Sequence, residues 1–132
     1  MHKGSCSCGK IQYQYSGSLQ EISMCHCRDC RKAQGTAFAA VSAIESSQFE
    51  ITEGQKLLKT YQSSPNKIRV FCSECGSPIY SERDDKPGIK RLRLGTLDTP
   101  MQVKNKYHVF VSSKAEWYEI KDGLKQYDKF RD

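Results

Sequence analysis

The chain has 132 residues, a length that fits one ordinary domain, with a formal net charge of +6 and 37% of its residues apolar. Leu, Ile, Val and Phe together number only 25, so a fold held by hydrophobic burial alone would be marginal. No run of about 18 apolar residues is present, which excludes a transmembrane helix, and five Phe with seven Tyr argue against disorder.

Short runs of alternating polarity, separated by Gly, Pro, Asn, Asp and Ser, predict an all-β chain. Residues 10–15 come first, with Ile11, Tyr13 and Tyr15 on one face and Lys10, Gln12 and Gln14 on the other. Arg28–Gln34 is the one predicted helix, stopped by Gly35 and too short at two turns to stand alone. Strands follow over residues 37–44, 48–52, 57–62, 67–72, 78–83, 89–97 and 106–111, with 117–120 as a shorter candidate. No linker or repeat divides them. Residues 1–132 therefore read as a single domain of two packed, mostly antiparallel sheets, a β-sandwich-like fold with one short helix.

Seven cysteines stand out: Cys6, Cys8, Cys25, Cys27, Cys30, Cys72 and Cys75. An odd number cannot all pair within the chain, and Met1-His2-Lys3-Gly4-Ser5-Cys6 carries no apolar stretch of a signal peptide. A reducing, cytoplasmic setting is predicted, where clustered cysteines are metal ligands or reactive thiols. Gly4-Ser5-Cys6-Ser7-Cys8-Gly9 leads into a strand, and Cys72-Ser73-Glu74-Cys75-Gly76 leaves one. Neither pair closes a tetrahedron. Together Cys6, Cys8, Cys72 and Cys75 supply the four thiolates of a closed structural zinc site. Joining Cys8 to Cys72 closes a loop of 63 intervening residues, at a cost of roughly 4 kcal/mol. Zinc on four thiolates supplies on the order of 10 kcal/mol, enough to offset it. The competing reading is a pair of buried small residues or a redox dithiol.

The middle motif is Cys25-His26-Cys27-Arg28-Asp29-Cys30-Arg31-Lys32. Cys25 and Cys27 share a face of an extended segment, and Cys27 and Cys30 share a face of a helical turn. A strand-to-helix junction thus converges three sulfurs, and three ligands with an open fourth position is the arrangement of a catalytic zinc. Arg28, Arg31 and Lys32 would favour thiolates there. His26 points away from its neighbours on a strand and reads as a packing or ligand-supporting residue. Two alternatives stay open: His26 closes the site, or the three cysteines form a metal-free redox centre. The densest basic cluster, Lys90-Arg91-Leu92-Arg93, splits Lys90 from Arg91 and Arg93 across two faces. It makes no phosphate-tracking stripe, so nucleic acid is not an expected partner.

The three cysteine motifs, in this order and spacing, resemble the family of glutathione-dependent formaldehyde-activating enzymes, which also includes centromere protein V. The matched pattern runs through Gly4–Gly9, Cys25 to Gly35, and Phe71-Cys72-Ser73-Glu74-Cys75-Gly76. Gly95-Thr96-Leu97-Asp98 and the segment from His108 to Trp117 are similar to later parts of the family, with Glu116 where a proline commonly precedes the tryptophan. The resemblance implies a zinc-binding fold of two packed sheets with two metals. Cys6, Cys8, Cys72 and Cys75 would hold the structural zinc, and Cys25, Cys27 and Cys30 the catalytic one. It also implies a carbon–sulfur lyase, after the enzyme that joins formaldehyde to glutathione as S-hydroxymethylglutathione.

Residues and resemblance together predict that a small thiol, glutathione or another, takes the open zinc position, loses its proton and adds to a small aldehyde, or is released in the reverse reaction. His108 and Lys114 are candidates for the pocket's surroundings, with Lys114 expected at the surface and Trp117 in the core. The alternative is a non-catalytic zinc module that binds a protein or other macromolecule, with Arg91 and Arg93 on its contact surface. A cytosolic thiol redox protein is a third.

Overall fold

The computed structural model describes residues 1–131. In chain order the elements are β1 (His2–Ser5), β2 (Gln12–Tyr15), β3 (Glu21–Cys25), α1 (Arg28–Gln34), β4 (Ala39–Glu45), β5 (Phe49–Glu53), β6 (Leu58–Ser64), β7 (Lys67–Cys72), β8 (Pro78–Arg83), β9 (Ile89–Arg93), β10 (Asn105–Val109) and β11 (Lys125–Gln126). The strands make two sheets, one of three strands and one of eight. The chain divides into two compact units: Met1–Leu19 with Ser42–Gln102, and Gln20–Val41 with the chain from Val103 onward.

In the first unit, β1, β2 and β5 form the antiparallel three-stranded sheet, and β6 to β9 form an antiparallel meander in sequence order. Alternation along β2 does what the sequence predicts. Ile11, Tyr13 and Tyr15 are buried in one cluster with Ile44, Ile79, Leu92, Cys6 and Cys72. Phe49 and Tyr80 pack against it, their rings 5.6 Å apart, so the three-stranded sheet faces the meander across a shared apolar layer. β1 lies very close to this layer. A Cβ on Gly4 would fall 2.2 Å from the Tyr13 ring and 2.5 Å from the Thr96 carbonyl oxygen, so only glycine permits the approach. A register shift between Val70 and Phe71 bends β7 just before Cys72.

In the second unit, β3 pairs parallel with β10 and antiparallel with β4, while β11 runs parallel to β10. The β3–β10 register sets His108 opposite Met24 and Val109 opposite Cys25. α1 starts three residues after β3 ends and stops at Gly35, whose φ of 63° lets its amide reach the Arg31 carbonyl at 2.8 Å. So short a helix depends on packing, supplied by Cys30 against Ala39 and Val41.

Most expected strands are present with ends shifted by a few residues, and most pairings are antiparallel. The helix matches at both ends. Residues 117–120 are a correction: they form a turn and irregular chain, and Trp117 is 74% exposed instead of in the core. The strand expected over 89–97 stops at Arg93 and gives way to a 3₁₀ turn over Leu94–Thr96. The strand expected over 106–111 ends at Val109, because Phe110 turns the chain at φ 55° with its ring on Phe130. Arg93 is 3% exposed, which removes it from any contact surface.

Tyr13 supplies a test of the apolar layer. Burial carries its phenol up to about 12, although its hydroxyl also bonds Thr96 Oγ1 at 2.8 Å. An unfolded tyrosine ionises near 10, so the folded state resists deprotonation between about 10 and 12. Stability is therefore complete below pH 10 and falls as pH rises through that window. The denaturant midpoint should drop between about pH 10 and 12, and less steeply in Tyr13→Phe.

Candidate metal centres

Two turns of the same design build the four-cysteine group in the first unit. After β1 the Cys6 amide donates to the Ile11 carbonyl (3.1 Å) and the Gly9 amide to the Cys6 carbonyl (3.0 Å). After β7 the Cys72 amide donates to the Ser77 carbonyl (3.0 Å) and the Gly76 amide to the Cys72 carbonyl (2.8 Å). Gly9 and Gly76 close these turns at φ 78° and 80°. In each turn the leading sulfur accepts a backbone amide, Cys6 Sγ from Ile11 (3.3 Å) and Cys72 Sγ from Glu74 (3.4 Å). Two turns facing each other bring the Sγ atoms of Cys6, Cys8, Cys72 and Cys75 within 4.8 Å of one another. Cys6 and Cys72 are buried, whereas Cys8 and Cys75 are exposed. An exposed Lys10–Glu74 pair at 3.0 Å also links the turns and is worth little by itself.

The thiols' proton affinities fit a cation at that point. The Ser77 hydroxyl and amide hold Cys75 down at about 5. Cys8 is driven the other way: the Lys10 amide would lower it, but partial desolvation and the sulfurs of Cys6, Cys75 and Cys72 carry it up to about 11. Four sulfurs this close cannot all ionise unless positive charge sits among them. A divalent ion removes the conflict, and four thiolates are the donor set zinc takes in closed sites.

The second group lies where β3 passes into α1. Cys25 ends the strand, Cys27 is the extended N-cap residue at ψ 153°, and Cys30 sits in the first helical turn. Cys27 Sγ accepts the Cys30 amide at 3.3 Å, doing the work a serine or aspartate does at other helix starts. The three Sγ atoms lie within 4.8 Å of one another. The sulfurs of Cys27 and Cys30 first, and then burial, push the Cys25 thiol far above its ordinary range. Again a cation is what would let all three ionise. No imidazole or carboxylate among the described residues joins this group.

His26, by sequence alone a possible closing ligand, is not part of that sulfur group. It is fully buried, and its Nε2 lies 2.8 Å from His108 Nδ1. Its ring packs by Phe38 and Tyr118, at 5.2 and 6.1 Å between centroids. Burial, with the nearby His108 and Lys114, lowers its pKa to about 4, leaving it neutral at neutral pH. His108 is likewise buried, and its Nε2 lies 2.8 Å from Asp122 Oδ2. Lys114 is half-buried, its Nζ donating to the carbonyls of Ala115 and Tyr118.

The seven cysteines thus assemble into the two groups that their spacing predicts, with no disulfide between any of them. A family profile described as glutathione-dependent formaldehyde-activating enzyme matches residues 1–113. This chain belongs to the glutathione-dependent formaldehyde-activating enzyme family. The matched segment holds every cysteine together with His26 and His108, and ends before Asp122. An uncharacterized lyase of Schizosaccharomyces pombe is 30% identical over 79 residues, covering 60% of this chain and 56% of that protein. A Colletotrichum graminicola protein, named provisionally as a glutathione-dependent formaldehyde-activating enzyme, is 26% identical over 115 residues, 84% of this chain and 60% of its own. The chain spans less than two thirds of the length of these two relatives. A Rhodobacter sphaeroides protein of known crystal structure shares the fold at a TM-score of 0.62 and 22% identity, over 75% of this chain and 90% of that one.

Asp122 was not singled out from the sequence. It follows His108 by fourteen positions in a loop, and an isolated aspartate beside a turn glycine carries no periodic signal. The His26–His108 bond spans 82 positions and was equally hidden.

Metal removal tests the first group directly. A strong chelator, or Cys72→Ser, should abolish cooperative melting, because an ion held by all four sulfurs would tie the two turns together. Metal-free protein that still melts in one sharp transition would contradict this.

Proposed function

We propose that this member of the family is a zinc-dependent carbon–sulfur lyase that joins a small thiol to a small aldehyde, or parts them. The observation that carries the reading is the three-sulfur group at Cys25, Cys27 and Cys30, which has no fourth protein ligand among the described residues. In this reading Cys6, Cys8, Cys72 and Cys75 hold a structural zinc, and the three-sulfur group holds a second, catalytic one. Zinc with an open position supplies acidification of a bound thiol, which is then a nucleophile at neutral pH.

The chain's own residues set the stage for that chemistry. Cys27 is fixed as the helix cap, and Cys30 is fixed by burial against Ala39 and Val41. Arg31 is anchored through Nε to the His26 carbonyl at 3.4 Å, which keeps a positive charge beside the ligand loop. Adding a thiol to an aldehyde forms one carbon–sulfur bond and moves the thiol proton to the former carbonyl oxygen, so no oxidant or reductant is needed. The relative named for formaldehyde activation with glutathione supports formaldehyde and glutathione as the first pair to try. Seven cysteines kept for metal also support a reducing, cytoplasmic setting.

The test pairs turnover with metal content. Formaldehyde with glutathione, and then with other small thiols, should yield the S-hydroxymethyl adduct faster with protein than without it, followed by proton NMR. Cys27→Ser should lose that acceleration, by 100-fold or more (~3 kcal/mol), while keeping the metal at the four-cysteine group. Full acceleration in Cys27→Ser, or none with any thiol in the wild type, would overturn the reading.

A further inference from the structure

Asp122, His108 and His26 form a hydrogen-bonded chain that ends on the ligand loop. His108 lies 2.8 Å from Asp122 Oδ2 through Nε2 and 2.8 Å from His26 Nε2 through Nδ1. An ionised carboxylate only accepts, so His108 Nε2 carries the hydrogen. With His108 neutral, its Nδ1 is the acceptor and His26 Nε2 donates to it. Each ring is thereby held as a single tautomer. His26 Nδ1 is left as a buried acceptor without a hydrogen bond.

The backbone of His26 is tied down as firmly as its ring. Its amide donates to the Val109 carbonyl at 3.0 Å, extending the β3–β10 ladder one step past the strand end. Its carbonyl accepts from Arg31 Nε at 3.4 Å. Every polar handle on His26 but Nδ1 is therefore engaged, and Cys25 and Cys27 are its immediate chain neighbours. A residue fixed at ring, amide and carbonyl holds the backbone that carries the sulfurs on either side of it.

We infer that Asp122 and His108 are positioning residues for the three-cysteine centre, acting through His26 to hold Cys25 and Cys27 in ligating placement before an ion arrives. The inference rests on the reading that this centre binds metal. Its physical basis is preorganisation: ordering a ligand loop in advance removes that cost from binding. Partners that orient metal ligands from behind are commonly worth 10- to 100-fold in affinity. Asp122 acts from a partly exposed loop position, its side chain 41% exposed, so its loss does not remove a core residue. The effect should be local, because all three residues belong to the second unit and the four-cysteine group to the first.

The test uses full-length protein loaded with ¹¹³Cd, whose NMR resonances separate a four-sulfur from a three-sulfur centre. Chelator competition gives the affinity of each, and ¹⁵N spectra report the histidine tautomers. Asp122→Ala should weaken the three-sulfur centre by about tenfold or more, shift its resonance, and release His26 from its single tautomer, with the four-sulfur resonance unmoved. Asp122→Asn, whose amide oxygen still accepts from His108, should recover much of the loss. Wild-type affinity and resonance at the three-sulfur centre of Asp122→Ala would overturn the inference and leave the metal reading standing. Equal weakening of both centres would overturn it too, as general destabilisation. A wild type with no three-sulfur resonance would instead sink the metal reading, and this inference with it.

Discussion

Sulfur repels sulfur once both are ionised, and this chain crowds seven of them into two small volumes. The four-cysteine group spreads the conflict unequally, with Cys75 held low by Ser77 and Cys8 driven high by its neighbouring sulfurs. The three-cysteine group concentrates it on Cys25. A cation at each centre would let every sulfur ionise together. The rest of the first unit is arranged around that requirement. Cys6 and Cys72 belong to the same buried cluster as Ile11, Tyr13 and Leu92, so the ligand turns and the apolar layer share atoms. A chain short of large aliphatic residues gains from such sharing.

The two centres differ in what surrounds them, and that difference separates their roles in our reading. The four-cysteine group comes from two copies of one turn, each with a glycine at positive φ and a backbone amide on its leading sulfur. It is complete in itself. The three-cysteine group comes from a single junction and lacks a fourth donor among the described residues. Its support comes from behind, through His26, from a second strand and a distant loop. A centre meant to exchange a ligand needs its protein ligands held without help from the missing one, and such bracing suits that need.

Much of this was legible in the sequence, for identifiable reasons. β2 announced itself because Ile11, Tyr13 and Tyr15 alternate with polar residues, and α1 because Gly35 stops it. The cysteine groups were legible because ligand spacing is a local property. Four-residue β1 was not, since Gly4 there serves a close approach to Tyr13 that only the folded chain reveals. β3 reads Glu-Ile-Ser-Met-Cys, an alternation too short to stand out, and its burial does not follow it: Ser23 and Met24 are both buried, with β4 on one side and β10, far away in sequence, on the other. Trp117 misled by its size: a large aromatic usually belongs inside, and here it stands in solvent. Asp122 and the His26–His108 bond were out of reach because their partnership exists only once β10 lies beside β3.

The open three-sulfur centre is the claim on which the functional reading stands or falls. A crystal structure at high resolution, with anomalous signal at the zinc edge and glutathione soaked in, measures it most directly. Two zinc peaks per chain are expected, one enclosed by Cys6, Cys8, Cys72 and Cys75. The other should be held by Cys25, Cys27 and Cys30, with the glutathione sulfur as its fourth ligand. A second peak closed by a protein side chain and indifferent to the soak, or no second peak, would contradict it.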